Sequence, residues 1–178
     1  MEEPLPSTAP AEPFGPVGGA LLAVSQVVAV AGALVFTALV AMSIVSIGGR
    51  KLFSAPVPGD VELLQLCSAF AAASFFAYCH LNRGDVKVDF FTDRMQARHV
   101  HAFDALGSLL VGLFGALIAW RTGAGAVGLA EAGETTMILG LPVWLGQALM
   151  VPGFVLLALA GLYMALWHLR HTTRGRLR

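Results

Sequence analysis

Four long stretches with no charged residue limit what this chain can fold into. They run from Pro13 to Gly49, Leu63 to Asn82, Ala105 to Trp120 and Thr135 to Trp167. A membrane-spanning helix needs about 20 predominantly apolar residues. The first, second and fourth stretches meet that need. The third is shorter, but Asp104 and Arg121 at its ends can snorkel toward the two interfaces. Backbone polar groups in lipid must be satisfied internally, so spans of this kind are helices. A membrane barrel would need alternating ten-residue segments instead. Composition closes off the soluble alternatives. Hydrophobic residues make up 57% and charged residues 12%, where a soluble domain carries about 25% charged residues. Such a chain could not cover a soluble surface, which excludes a soluble enzyme, a disordered chain and a coiled coil. Its 11 basic and 11 acidic residues cancel, so net charge gives no case for nucleic acid.

The expected fold is an all-α integral membrane protein. It has four transmembrane helices and a short amphipathic interfacial helix between the second and third. The expected division is an N-terminal tail over 1–16, a membrane domain over 17–169 and a basic tail over 170–178. Spans are expected at about 20–47, 61–81, 103–122 and 142–167. The N-terminal region carries Glu2, Glu3 and Glu12 but no Lys or Arg, and its apolar run is too long for a signal peptide. The first stretch therefore reads as a retained span.

Basic residues set the expected orientation. Arg83, Lys87, Arg94, Arg98, Arg170, Arg174, Arg176 and Arg178 fall on one side; Arg50, Lys51 and Arg121 fall on the other. That bias places both termini in the cytoplasm. Trp144 and Trp167 bracket the last span as interfacial anchors. At ~1.5 Å per residue they stand about 34 Å apart, close to a bilayer core. Cys67 and Cys79 lie ~18 Å apart along the second span, too far to bridge, and read as small apolar fillers.

The connecting pieces carry most of the candidate contacts. Asp60 reads as an N-cap of the second span, with Glu62 in its first turn. The alternative is that Glu62 pairs with a base such as Arg50, or with one on another subunit. Between the second and third spans, Val88, Phe91 and Met95 recur at helical spacing, with Lys87, Asp89, Asp93 and Arg94 on the other side. This suits a helix on the membrane surface or against a partner. The Gly-rich segment from Arg121 to Leu141 reads as the outer connection, part of which can extend the third span. Pro142 suits the first turn of the fourth span, and Pro152 a kink within it. Ala69, Ala73 and Ala77 form a small-residue stripe on the second span, and Gly161 and Ala165 another on the fourth. Small residues let helices approach closely in lipid.

Reactive chemistry is sparse. No charged residue is expected in the middle of any span, where such groups mark ion and substrate paths. His80, His99, His101, His168 and His171 fall at the inner interface or the tail, outside the positions a bundle haem would need. No phosphate loop, zinc motif or nucleophile elbow occurs. A chain without cofactor, metal or catalytic residues points to an accessory subunit.

Motifs in order along the chain resemble one family. Arg50, Phe53, Pro56 and Glu62 are similar to its Arg-x-x-Phe…Pro…Glu stretch. Gly84-Asp85-Val86-Lys87-Val88-Asp89 resembles its Gly-His-(Ile/Val)-x-Val-Asp signature, with Asp85 where His is usual. Leu139-Gly140-Leu141-Pro142-Val143-Trp144 resembles its Leu-Gly-Ile-Pro-x-Trp motif before the last span, and Pro152-Gly153 a later Pro-Gly. Asp60-Val61-Glu62 replaces a common Trp-x-Glu-Glu. These features resemble the small, DctQ-like permease subunit of tripartite ATP-independent periplasmic (TRAP) transporters, over roughly Val17 to Trp167. The resemblance implies a scaffold for a large permease subunit that carries the substrate and sodium sites. It also implies a periplasmic substrate-binding protein that delivers an organic acid anion. On this reading Arg50, Glu62, Ala69, Ala73, Ala77, Asp89, Phe91, Pro142 and Trp144 are candidate subunit or partner contacts, beside membrane lipid. The small subunit of a tripartite tricarboxylate transporter is an alternative, and a self-sufficient four-helix exporter a second.

Overall fold

The computed structural model describes residues 15–84 and 97–174, and it is helical throughout its long elements. Helix α1 is Pro16–Phe53, α2 Asp60–Leu81, α3 Ala97–Ala132 and α4 Trp144–Arg174. Each contains a window apolar and long enough to cross a membrane. Proline opens α1, where its missing N–H costs nothing. Gly59 caps α2 with a left-handed φ of 75°, a conformation that suits glycine. The amphipathic segment with Val88, Asp89, Phe91 and Met95 lies outside the described residues.

The four helices form an open row rather than a closed bundle. Their spatial order is α1, α2, α4, α3: α1 packs chiefly on α2, α2 on α4, and α4 on α3. Helix α3 packs on α4 alone. The row follows from where the small residues fall. In α3 the buried positions Ala105, Ser108, Gly112, Gly115, Ala119 and Ala126 recur at steps of three, four, three, four and seven, the repeat of a close helix–helix seam. Facing them are Ala158, Gly161 and Ala165 of α4. The backbones nearly touch: a Cβ built on Gly161 would lie 2.5 Å from the Gly112 nitrogen. On its other side α4 presents Gly153, where a Cβ would fall 2.8 Å from the Ala73 carbonyl of α2. Helix α2 then turns Ala71 and Ser74 to Gly32 of α1. The larger core residues Leu81, Phe154, Leu157 and Met164 form one cluster with Ala73, Ala77, Ala119 and Ala160, and Phe76 stacks on Phe154 at 5.9 Å.

One expectation is sharpened and one corrected. The Gly-rich segment after Arg121 is not a connection throughout, since its first part extends α3 and only 133–143 joins α3 to α4. Helix α3 continues unbroken through Gly123, Gly125 and Gly128 to Ala132, and Gly133, at φ 66°, stands just past its end. Glycine weakens a helix in water, but here it lets α3 lie against α4, with Gly125 beneath the Gln147 side chain. Pro142 is not in the first turn of α4 either. It forms an isolated bridge with Thr135, and α4 starts at Trp144. Pro152 sits inside α4 without ending it.

Candidate functional site

A dense polar structure stands at the Glu62 end of the row, where two connections meet the start of α2. Buried Ser46 of α1 donates its hydroxyl to the Asp60 carboxylate. The same oxygen accepts the Val57 N–H at 3.3 Å. Asp60 also accepts the Val61 N–H at 2.8 Å, and Arg50 lies 3.6 Å from its second oxygen. Asp60 is therefore not the N-cap; Gly59 holds that place, and Asp60 is the first helical residue. It is Asp60, not Glu62, that takes the Arg50 guanidinium. The pair is exposed on the arginine side, where 61% of the side chain is open.

Glu62 does something the sequence does not display. Its two carboxylate oxygens accept the N–H groups of Ile138 and Leu139 at 2.8 and 2.9 Å. These belong to the α3–α4 connection, which folds back on itself. Thr136 N–H donates to the Leu141 carbonyl at 2.8 Å, and the Thr136 hydroxyl accepts the Leu141 N–H at 3.0 Å. Val143 N–H closes the base on the Glu134 carbonyl at 3.0 Å. Gly140 supplies the positive φ of 64° that the turn requires. Leu139 packs over Gly59, where a Cβ would clash at 2.4 Å. Glu62 thus clamps a hairpin across the top of α2, leaving Met137 fully exposed at its tip. Below the clamp is a groove of about 220 Å³, lined by Glu62, Gln65, Ala69, Thr136, Gln147 and Met150.

The other candidate residues are dispersed. Ala73 and Ala77 are 1% exposed and sealed in the α2–α4 core. The neighbour of the small-residue stripe is a helix of the same chain, so these two are out of a partner's reach. Ala69, half-buried, lines the groove. Trp144 is half-buried at the start of α4, and Arg50 projects outward. Asp89 and Phe91 lie outside the described residues. At the opposite end, His80 and His168 are buried, and the Arg83 guanidinium lies 4.9 Å over the Trp167 ring.

Arg121, expected at the end of the third span, lies within α3, which runs on to Ala132. The signal was available: the three-and-four spacing of small residues that starts at Ala105 runs past Arg121 to Ala126.

Comparison with known families gives one result. Residues 37–171 match the family model described as tripartite ATP-independent periplasmic transporters, DctQ component. No curated protein and no solved structure matches the chain.

Proposed function

The chain belongs to the DctQ family, the small component of TRAP transporters, and on that premise we propose that it is the scaffold subunit of an ion-gradient-driven importer of organic acid anions. It is a multi-pass membrane protein. Its partners on this reading are a large permease subunit, which carries the substrate and sodium sites, and a periplasmic substrate-binding protein. The observation that carries the reading is the open helix row. A transporter that moves a solute through itself encloses a polar site between helices near mid-membrane. Here α4 fills the centre of the row and its seams are closed by glycine and alanine. The grooves lined by Ala105, Leu109 and Leu166, and by Val17, Leu21 and Leu159, are apolar and open between α3 and α4 and between α1 and α4. A row of this kind offers two broad faces for another protein, which is what a scaffold requires.

The Glu62 end faces the periplasm on this reading, with both termini cytoplasmic in a bacterial inner membrane, as the basic-residue bias favours. The clamped hairpin with Met137 at its tip then stands on the side from which a binding protein delivers substrate. Uptake of a radiolabelled organic acid into proteoliposomes tests the proposal. Large subunit, this chain and loaded binding protein together should give sodium-dependent uptake. Leaving this chain out should abolish it, and the chain alone should move nothing. Full uptake without the chain would end the scaffold reading. Reporter fusions after Arg178 and within Glu131–Thr135 should report opposite compartments, with the first cytoplasmic.

A further inference from the structure

Arg121 sits where a cation needs an explanation. Contacts along the row fix its depth. Gly115 meets Ala158 and Gly123 meets Val151, so Arg121 is level with Pro152 and Gly153 of α4. Gly153 in turn abuts Ala73 of α2. At ~1.5 Å per residue, that level is about 20 Å from the Asp60 end of α2 and about 12 Å from its Leu81 end. With α2 crossing the bilayer from end to end, Arg121 falls inside the hydrocarbon whichever end faces out.

Its direction is also fixed. Ala119 is buried in the α4 seam. Arg121, two positions later, is ~200° further round the helix. It is exposed, on the face turned away from α4, beside Trp120, which is 74% open. Since α3 packs on α4 alone, that face has no neighbour among the described residues. Nor do the other apolar stretches offer a counter-charge. The stretches Pro13–Gly49, Leu63–Asn82 and Thr135–Trp167 hold no carboxylate. Along α3 the next acid toward Ala132 is Glu131, ~15 Å away. Among the described residues no carboxylate is ion-paired with Arg121.

We infer that the open face of α3 around Arg121 is a contact surface for the large permease subunit, and that Arg121 pairs there with a carboxylate on a membrane helix of that subunit. The inference rests on the scaffold reading above. Charge complementarity selects the occupant. Lipid tails offer no acceptor at this depth, and intramembrane cations are retained where they pair. A second copy of this chain would bring a surface that itself lacks a mid-depth carboxylate. The partner must supply the anion.

The experiment is co-expression of the chain with its large subunit, capture through the chain, and quantification of the large subunit recovered. Arg121→Gln should lower recovery about tenfold, and Arg121→Lys should retain part of it. A photoreactive phenylalanine analogue at Leu117, one turn away on the same face, should crosslink to the large subunit. The chain alone in detergent, carrying Arg121→Gln, should unfold at or above the wild-type temperature. Equal recovery with Arg121→Gln would overturn the inference alone. Crosslinks only to lipid or to a second copy would do the same, as would a variant that unfolds early by itself. A wild-type chain that recovers no large subunit would sink the scaffold reading and this inference together.

Discussion

The α3–α4 seam and the α1–α2 join are made from opposite materials. Helix α1 has the highest mean hydropathy of the four spans and the smallest buried share. Val27, Leu34, Ile44 and Val45 all point outward. It meets α2 closely at Gly32 and is tied at its end by Ser46 and Asp60. Helix α3 owes its packing to glycine, alanine and serine, which bring its backbone against that of α4 over its length. The contrast separates two requirements that coincide in water. In a bilayer, bulky apolar side chains secure insertion, since lipid receives them as readily as a protein core would. Small side chains secure packing, since dispersion contact depends on how near two helices can come.

The largest effect should come from filling the seam. Gly161→Leu places a side chain against the Gly112 backbone, which cannot yield as a flexible side chain would. We expect a loss of about 3 kcal/mol or more in unfolding free energy in detergent. Gly107→Leu, on the same helix pair but with open space around it, should change stability little. Equal effects would erase the distinction between seam and lipid face. Next is Ala73→Leu, which overpacks the α2–α4 contact opposite Gly153. A destabilisation of about 1–3 kcal/mol is expected, read by thermal unfolding. At the α1–α2 join, Ser46→Ala removes one buried hydroxyl and two hydrogen bonds, with a cost of about 1 kcal/mol. Glu62→Gln should leave global stability nearly unchanged while raising hydrogen exchange at Ile138 and Leu139, since it weakens the hairpin clamp alone. Smallest of all is Arg50→Ala. Its ion pair is solvent-exposed, and such pairs add little. An unchanged unfolding midpoint together with reduced uptake would mark Arg50 as a partner contact.

The number and character of the helices were readable because hydropathy over twenty residues is a property of the segment itself. The ends were harder. The stretch Arg121 to Ala132 combines charge with glycines, each of which signals a loop in water, so the hydropathy pattern ends the third span near Arg121. The small-residue spacing that runs on to Ala126 is the trace of the helix in the sequence, while its register against α4 is a relation between two segments. Glu62 poses the same difficulty. Its place in the first turn of α2 was legible, but its partners are backbone N–H groups 76 and 77 positions away, and every residue has such groups. The Ala69, Ala73 and Ala77 stripe was legible as a packing face. Which helix it met depends on Gly153, and a stripe of small residues does not identify its mate.

The spatial order of the row has a consequence for how the chain is made. Synthesis delivers α1, α2 and α3 before α4, yet α3 packs on α4 and on no other helix. Until the last helix leaves the ribosome, α3 waits in the membrane with its glycine face unmatched. Helix α4 then seats between two helices already inserted, closing both of its seams in one event. A nascent chain truncated before Trp144 would hold three of its four helices but only the α1–α2 contact. Cellular quality control would meet it as an orphan, and the final step of translation is the one that commits the subunit to its shape.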